Sequence, residues 1–301
     1  FISYAGTKDK YAQTTQHIAI KGVSKEKISS LDLKDIALTY LHHQRTHLNL
    51  GDLEGNSFKI IVREIPKEFL LSSSITSLNS FIVPNYFDEQ RFSTNNVAIG
   101  LAILKKDFSK AVNLIKEDGD YNQAISSHLE NRPNDFIGAL QILPKKTLLF
   151  FIHAIQSKIF NDSLAMHIKD FAKRNNYDIL TRAYSQGTFV FLQDPVLLKE
   201  LVASSPSISL IGYDSLPTPY EQEILTSLQI TTRDFIIRQI PFLTLEGSKR
   251  SIASPVTNFS INSLSLDEND LFQKTTCSFT LQKGSYATIV IRQFFDNLII
   301  N

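Results

Sequence analysis

The spacing of apolar residues changes twice along this chain, and that change limits what it can fold into. Near the start, residues 16–21 alternate apolar and polar, Ile36, Leu38 and Tyr40 recur every second position, and so do Phe58, Ile60 and Val62. That is the period of a strand. From about residue 95 the period becomes helical, and it returns to that of a strand near residues 275–281. A strand-rich part interrupted by a helical stretch predicts an α+β protein with one discontinuous domain, residues 1–94 plus 252–301, around an insertion of 95–251.

Local signals place the elements. Gly51 and Gly55 fall between the strands expected at 36–40 and 58–62, which predicts a hairpin there. Asp107 is placed to cap a helix running to about 117. Pro144 precedes a long helix with Leu148, Ile152, Ile155 and Ile159 on one face. Asp194-Pro195 opens another helix, and Thr218-Pro219-Tyr220-Glu221 forms a capping box with proline at the first helical position. A final amphipathic helix is expected from about 286 to 298.

Composition excludes several classes. Hydrophobic residues make up 43 % of 301, enough for a sizeable core. The single cysteine, Cys277, cannot close an intramolecular disulfide and reads as a buried, inert thiol in a reducing cytosol. The longest apolar run, about 148–155, is far short of the roughly 18 residues that cross a bilayer. There is no secretory signal, phosphate-binding glycine loop, nucleophile elbow or zinc-ligand spacing. His42, His43 and His47 read as a solvated or RNA-facing loop rather than a metal site, since no carboxylate completes them. Net charge is +1, from 31 basic and 30 acidic residues, so any nucleic-acid surface depends on where charge lies and not on its sum.

The candidate chemistry begins at Gly6-Thr7-Lys8-Asp9-Lys10, where one carboxylate sits between two lysines after a glycine. Such an acid is placed either for nucleophilic or base chemistry or as a surface turn. Four more blocks follow: Leu48-Asn49-Leu50-Gly51-Asp52-Leu53-Glu54-Gly55-Asn56-Ser57-Phe58, Val83-Pro84-Asn85-Tyr86-Phe87-Asp88-Glu89-Gln90-Arg91-Phe92, Gln156-Ser157-Lys158-Ile159-Phe160-Asn161, and Gly284-Ser285-Tyr286-Ala287-Thr288 with Arg292 after it. In this order they resemble the motifs of the TruD family of tRNA pseudouridine synthases. Two positions depart from the pattern, Asp88 and Ser93 standing where the family has glycine.

The resemblance implies a pseudouridine-synthase catalytic domain with a mixed, largely antiparallel sheet, interrupted by a mainly helical α/β insertion domain. It implies a cytoplasmic, monomeric isomerase that acts on uridine in tRNA, at position 13, with no cofactor and no membrane partner. Asp9 is then the catalytic carboxylate, kept ionised by Lys8 and Lys10, which could equally hold phosphate. Phe87 is expected to stack on the uracil drawn out of the helix and Asn85 to read its edge, or both pack as a turn. Arg91 and Arg292 are phosphate or carboxylate partners by type, Arg292 for Asp9 by analogy, or else structural. Asn56 supports a loop near the site or caps an Asx turn, and Gln156 and Ser157 pack a helix. Lys249-Arg250 reads as RNA contacts or a solvated hinge. Family members carry a segment before the Asp motif, so the chain is expected to be N-terminally incomplete. Two rival readings remain: an RNA-binding protein or inactive fragment without catalysis, and a nucleoside glycosidase, which would need a second carboxylate.

Overall fold

A computed structural model of the chain describes residues 1–9, 11–69, 78–119, 121–268 and 271–295. The fold is α+β, in two compact units, residues 1–56 and 57–301.

In the first unit, β1 (Ile2–Tyr4) pairs antiparallel with β2 (Ile18–Ile20), Ser3 opposite Ala19. A short helix, α1 (Lys25–Ser29), is capped by Ser24, whose hydroxyl accepts from the Lys27 amide at 3.3 Å. The strand expected at 36–40 is not formed; only a single bridge joins Leu33 to Ile36. Ile36 is 60 % exposed, so the alternating pattern has neither a burying face nor a partner ladder, and a strand needs both. The hairpin expected across Gly51 and Gly55 is absent as well, because the strand after it, β3 (Gly55–Pro66), pairs with residues more than two hundred positions later.

The second unit is built on a five-stranded sheet. Its path runs β10 (Ser265–Leu266), β11 (Phe272–Gln282), β9 (Ala253–Ile261), β4 (Phe81–Pro84), and β3 also pairs with β11. Strands β4 and β9 are antiparallel, with Phe81 opposite Val256 and Pro84 opposite Ala253. Residues before and after the helical stretch therefore lie side by side. Cys277 on β11 is fully buried, and burial pushes its thiol up to about 12, as an inert core residue requires.

Helices α2 (Asn96–Leu104), α3 (Phe108–Asp118), α4 (Asn122–Asn131) and α5 (Phe136–Gln141) lead to α6 (Lys145–Asn175), 31 residues long. The local caps form as the sequence predicts: Asp107 accepts from the Lys110 amide at 3.0 Å, and Pro144 precedes α6. Leu148, Ile152, Ile155 and Ile159 are fully buried on α6. α2 packs closely against it at Gly100, where a Cβ would meet the Phe151 carbonyl at 2.2 Å, so only glycine permits the approach. A hairpin the spacing did not announce, β5 (Ile179–Tyr184) and β6 (Gly187–Leu192), covers part of α6. β7 (Ser207–Leu210) pairs with β8 (Ser248–Ser251), and α7 (Leu198–Ser204) and α8 (Pro219–Ser227) lie between β6 and β8 in the chain. The capping box of α8 is present, Glu221 accepting from the Thr218 amide at 2.7 Å. The last described helix is α9 (Ala287–Phe295); the remainder of the expected final helix lies outside the described residues. Among the described residues no helix is long and apolar enough to cross a membrane.

Candidate active site

In the first unit, the first two motifs meet. The loop after β1 carries Lys8 and Asp9. Lys8 Nζ donates to Asn56 Oδ1 at 2.7 Å, and the Gly51 amide donates to the Ala5 carbonyl at 2.8 Å. Asn56 is thus a partner of Lys8. Nearby, the Asp52 carboxylate reaches back to accept from the Asn49 amide at 2.7 Å. Asp9 is exposed and makes no hydrogen bond among the described residues. Lys10 lies outside them.

In the second unit, the other three motifs meet at Phe87. β4 ends at Pro84, and the Asn85 amide continues its line by donating to the Ile252 carbonyl at 2.8 Å. Asn85 Nδ2 donates to the Ser251 carbonyl at 3.1 Å, and Asn85 Oδ1 accepts from Arg250 Nη2 at 2.7 Å. Tyr86 is fully buried; its hydroxyl donates to the Val190 carbonyl at 2.9 Å, and burial holds its phenol well above the usual range. The next residue, Phe87, is gripped by Asn161 from α6. Asn161 Oδ1 accepts from the Phe87 amide at 2.9 Å, and its Nδ2 donates to the Phe87 carbonyl at 2.8 Å. Phe160 meets the Phe87 ring edge-on at 5.6 Å, and Tyr286 of the last motif does so at 6.2 Å.

Two guanidiniums also lie over Phe87, Arg250 at 4.0 Å and Arg91 at 5.2 Å from the ring centre. Phe87 is therefore buried, by contacts from residues the sequence places in four separate segments. The sequence alone gives neither Asn161 nor Arg250 a place beside Phe87. The fourth motif did contain Asn161, but its partner is a backbone 74 positions away, which no spacing reveals.

The two departures from the family pattern have different physical settings. Asp88 has φ −100° and ψ 178°, extended backbone that any residue adopts. Asp88 is 3 % exposed, and its Oδ1, which accepts no hydrogen bond among the described residues, lies 3.4 Å from Arg292 Nε, an opposite charge beside the added one. Arg292, expected to be a carboxylate partner, is thus paired with Asp88 and lies over the Phe189 ring at 5.5 Å. Ser93, in contrast, has φ +49° at the end of a short turn, where its amide donates to the Glu89 carbonyl at 3.2 Å. This left-handed backbone favours glycine, and Ser93 is exposed with no compensating side-chain bond among the described residues. Ser93→Gly is expected to stabilise the protein by about 0.5–1 kcal/mol, read as a higher urea midpoint with an unchanged slope. A lower midpoint would show that the backbone strain is not the controlling factor.

The sequence model of the family described as "tRNA pseudouridine synthase D (TruD)" matches residues 1–118 and 110–294. A protein of Methanosarcina acetivorans named "Probable tRNA pseudouridine synthase D" is 30 % identical, over 97 % of this chain and 80 % of its own length. A protein of the same name from Methanosarcina barkeri is 29 % identical over the same shares. The crystal structure of the putative tRNA pseudouridine synthase D from Methanosarcina mazei superposes with a TM-score of 0.69 at 27 % identity, covering 100 % of this chain and 81 % of that one.

Proposed function

The chain belongs to the tRNA pseudouridine synthase D family, and from that premise we propose that it isomerises uridine to pseudouridine in tRNA, at position 13, with Asp9 as the catalytic carboxylate. The observation that carries this reading is the meeting of the family's first two motifs at Lys8 and Asn56, on the loop that presents Asp9 to solvent. In the reaction the C1′–N1 bond breaks, the base turns, C1′ bonds to C5, and the proton on C5 leaves to solvent while N1 regains one. No electrons are exchanged, and no redox cofactor is invoked. Asp9 acts at the sugar, either by bonding to C1′ or by taking a sugar proton.

The other assignments follow from what each group has left to offer. Asn85 retains one amide N–H and one oxygen lone pair beyond its bonds to Ser251 and Arg250, enough to read an edge of uracil. Stacking on Phe87 requires a guanidinium to leave the ring. Arg91, whose buried Nε has no acceptor among the described residues, is the one assigned to yield, turning toward phosphate. Lys8 orders the Asp9 loop through Asn56, and Arg292 acts on the 85–88 segment through Asp88. The pairing of β4 with β9 supports reading residues 95–251 as an insertion in a catalytic domain of 1–94 and 252–301. The enzyme is assigned as a cytoplasmic monomer.

The test is tritium release from tRNA labelled at C5 of uridine, with the product nucleoside identified. Release with pseudouridine retained in the RNA is the expected result. Release of free uracil would point to a glycosidase, and no release would overturn the reading.

A further inference from the structure

We propose that Arg250 is a positioning residue of the reaction, fixing Asn85 and Phe87 by bridging them to the turn at Gly284. Its guanidinium grips one residue twice, Nε donating to the Asn85 carbonyl at 3.2 Å and Nη2 to Asn85 Oδ1 at 2.7 Å. Nη2 also donates to the Gly284 carbonyl at 3.1 Å, and the guanidinium lies 4.0 Å over the Phe87 ring. One planar group therefore holds the third motif by its backbone, its amide and its aromatic ring, and ties all three to the fifth.

The geometry suits arginine alone. Two donors on one edge of a rigid plane meet two oxygens of one residue, while the face of that plane covers an aromatic ring; an ammonium offers neither the fork nor the face. The support beneath it is firm. Arg250 sits on β8, paired opposite Ile208 of β7, and Ile208 is buried. Gly284 has φ +82°, a backbone that presents its carbonyl at little steric cost only for glycine. The next residue, Ser285, is tied to β9 by a 2.7 Å bond between its hydroxyl and that of Ser254. No carboxylate pairs with Arg250 among the described residues. Burial lowers its guanidinium to about 10, with Arg91 adding to the effect, so it stays charged at neutral pH and takes its compensation from the oxygens and the ring.

This proposal rests on the reading that Asn85 and Phe87 contact the uridine. The experiment compares the full chain with Arg250→Met, Arg250→Lys, Asn85→Ala, Phe87→Leu and the double variant Arg250→Met/Asn85→Ala. Single-turnover tritium release, tRNA affinity across a salt series and thermal unfolding are measured for each. Arg250→Met is expected to lower the single-turnover rate about 100-fold, the scale of a misplacement near 1 Å, with affinity and salt dependence unchanged. The double variant should be no slower than the slower single variant, because both changes break one unit. Arg250→Lys should recover less than about tenfold of the loss, since it restores charge without the fork. Should Arg250→Met fail to fold, Arg250→Lys carries the same comparison.

An affinity loss with a salt slope reduced by about one, rescued by lysine, would mean a phosphate contact and would overturn the proposal. So would multiplicative losses in the double variant, or a parental rate in Arg250→Met while Asn85→Ala and Phe87→Leu are slow. If Asn85→Ala and Phe87→Leu both keep the parental rate, the substrate-contact reading itself fails and the proposal falls with it.

Discussion

Asp9→Asn is expected to reduce tritium release from C5-labelled tRNA at least about 1000-fold while leaving the fold intact. The amide has the shape of the carboxylate but can neither form the glycosyl ester nor accept a sugar proton. Asp9 is exposed and bonds to no other group among the described residues, so the substitution removes no hydrogen bond or ion pair formed among them. Unfolding midpoints of parent and variant should agree within about 0.5 kcal/mol, the usual range for a surface change. Affinity for tRNA should hold or tighten slightly, since one negative charge is removed from beside a polyanion. A variant that keeps more than a tenth of the parental rate would remove Asp9 from the chemistry.

Asn161→Ala should have the largest effect on stability among changes at the site. Asn161 is 1 % exposed, and its amide is the partner of both the Phe87 N–H and the Phe87 carbonyl. Truncation strands two buried backbone groups at once, each costing about 1–3 kcal/mol when no water replaces the lost partner, so a loss of about 2–6 kcal/mol is expected. The protein should unfold at least about 3 °C lower, and its synthase rate should fall because residues 85–88 lose their anchor. Asn161→Asp should fall between parent and alanine. It can still accept from the Phe87 amide but faces the carbonyl with an oxygen instead of a donor. Calorimetry and chemical unfolding check both. A shift under about 0.5 kcal/mol in Asn161→Ala would mean that the Phe87 backbone finds other partners.

What the sequence made legible follows the distance over which each signal acts. The caps at Asp107 and at Thr218 with Glu221 form as expected, because a cap needs only residues three positions apart. The long helix after Pro144 is present with its apolar face buried, again a local pattern. The strand expected at 36–40 failed because alternation says nothing about whether a partner strand is available, and Ile36 has none beyond a single bridge. The hairpin at Gly51 and Gly55 failed for a related reason: two adjacent strand-like runs suggest a local turn, but β3 finds its partner in β11. At the site, the motif residues could be named from the chain, but their partners could not. Asn161 reads as one more polar residue in a helix, and Arg250 as half of a basic pair. Their roles exist only through Phe87 and Asn85, 74 and 165 positions away.

Those separations also set a timetable. As the chain emerges during synthesis, Phe87 appears with only Arg91, four positions on, to lie over its ring, and long before the partners of its backbone. Asn161 arrives next, then Arg250, and the last motif, with the carbonyl of Gly284 34 positions after Arg250 and the ring of Tyr286, comes last. Contacts that close such long loops form late in folding, after local helices have already appeared. A ribosome-bound or prematurely ended chain can thus hold a complete α6 while residues 85–88 remain unsecured. If Phe87 stacks on the base as proposed, such a product has no finished platform for it, and the setting of Phe87 is complete only in a molecule that has been made at least as far as its last motif.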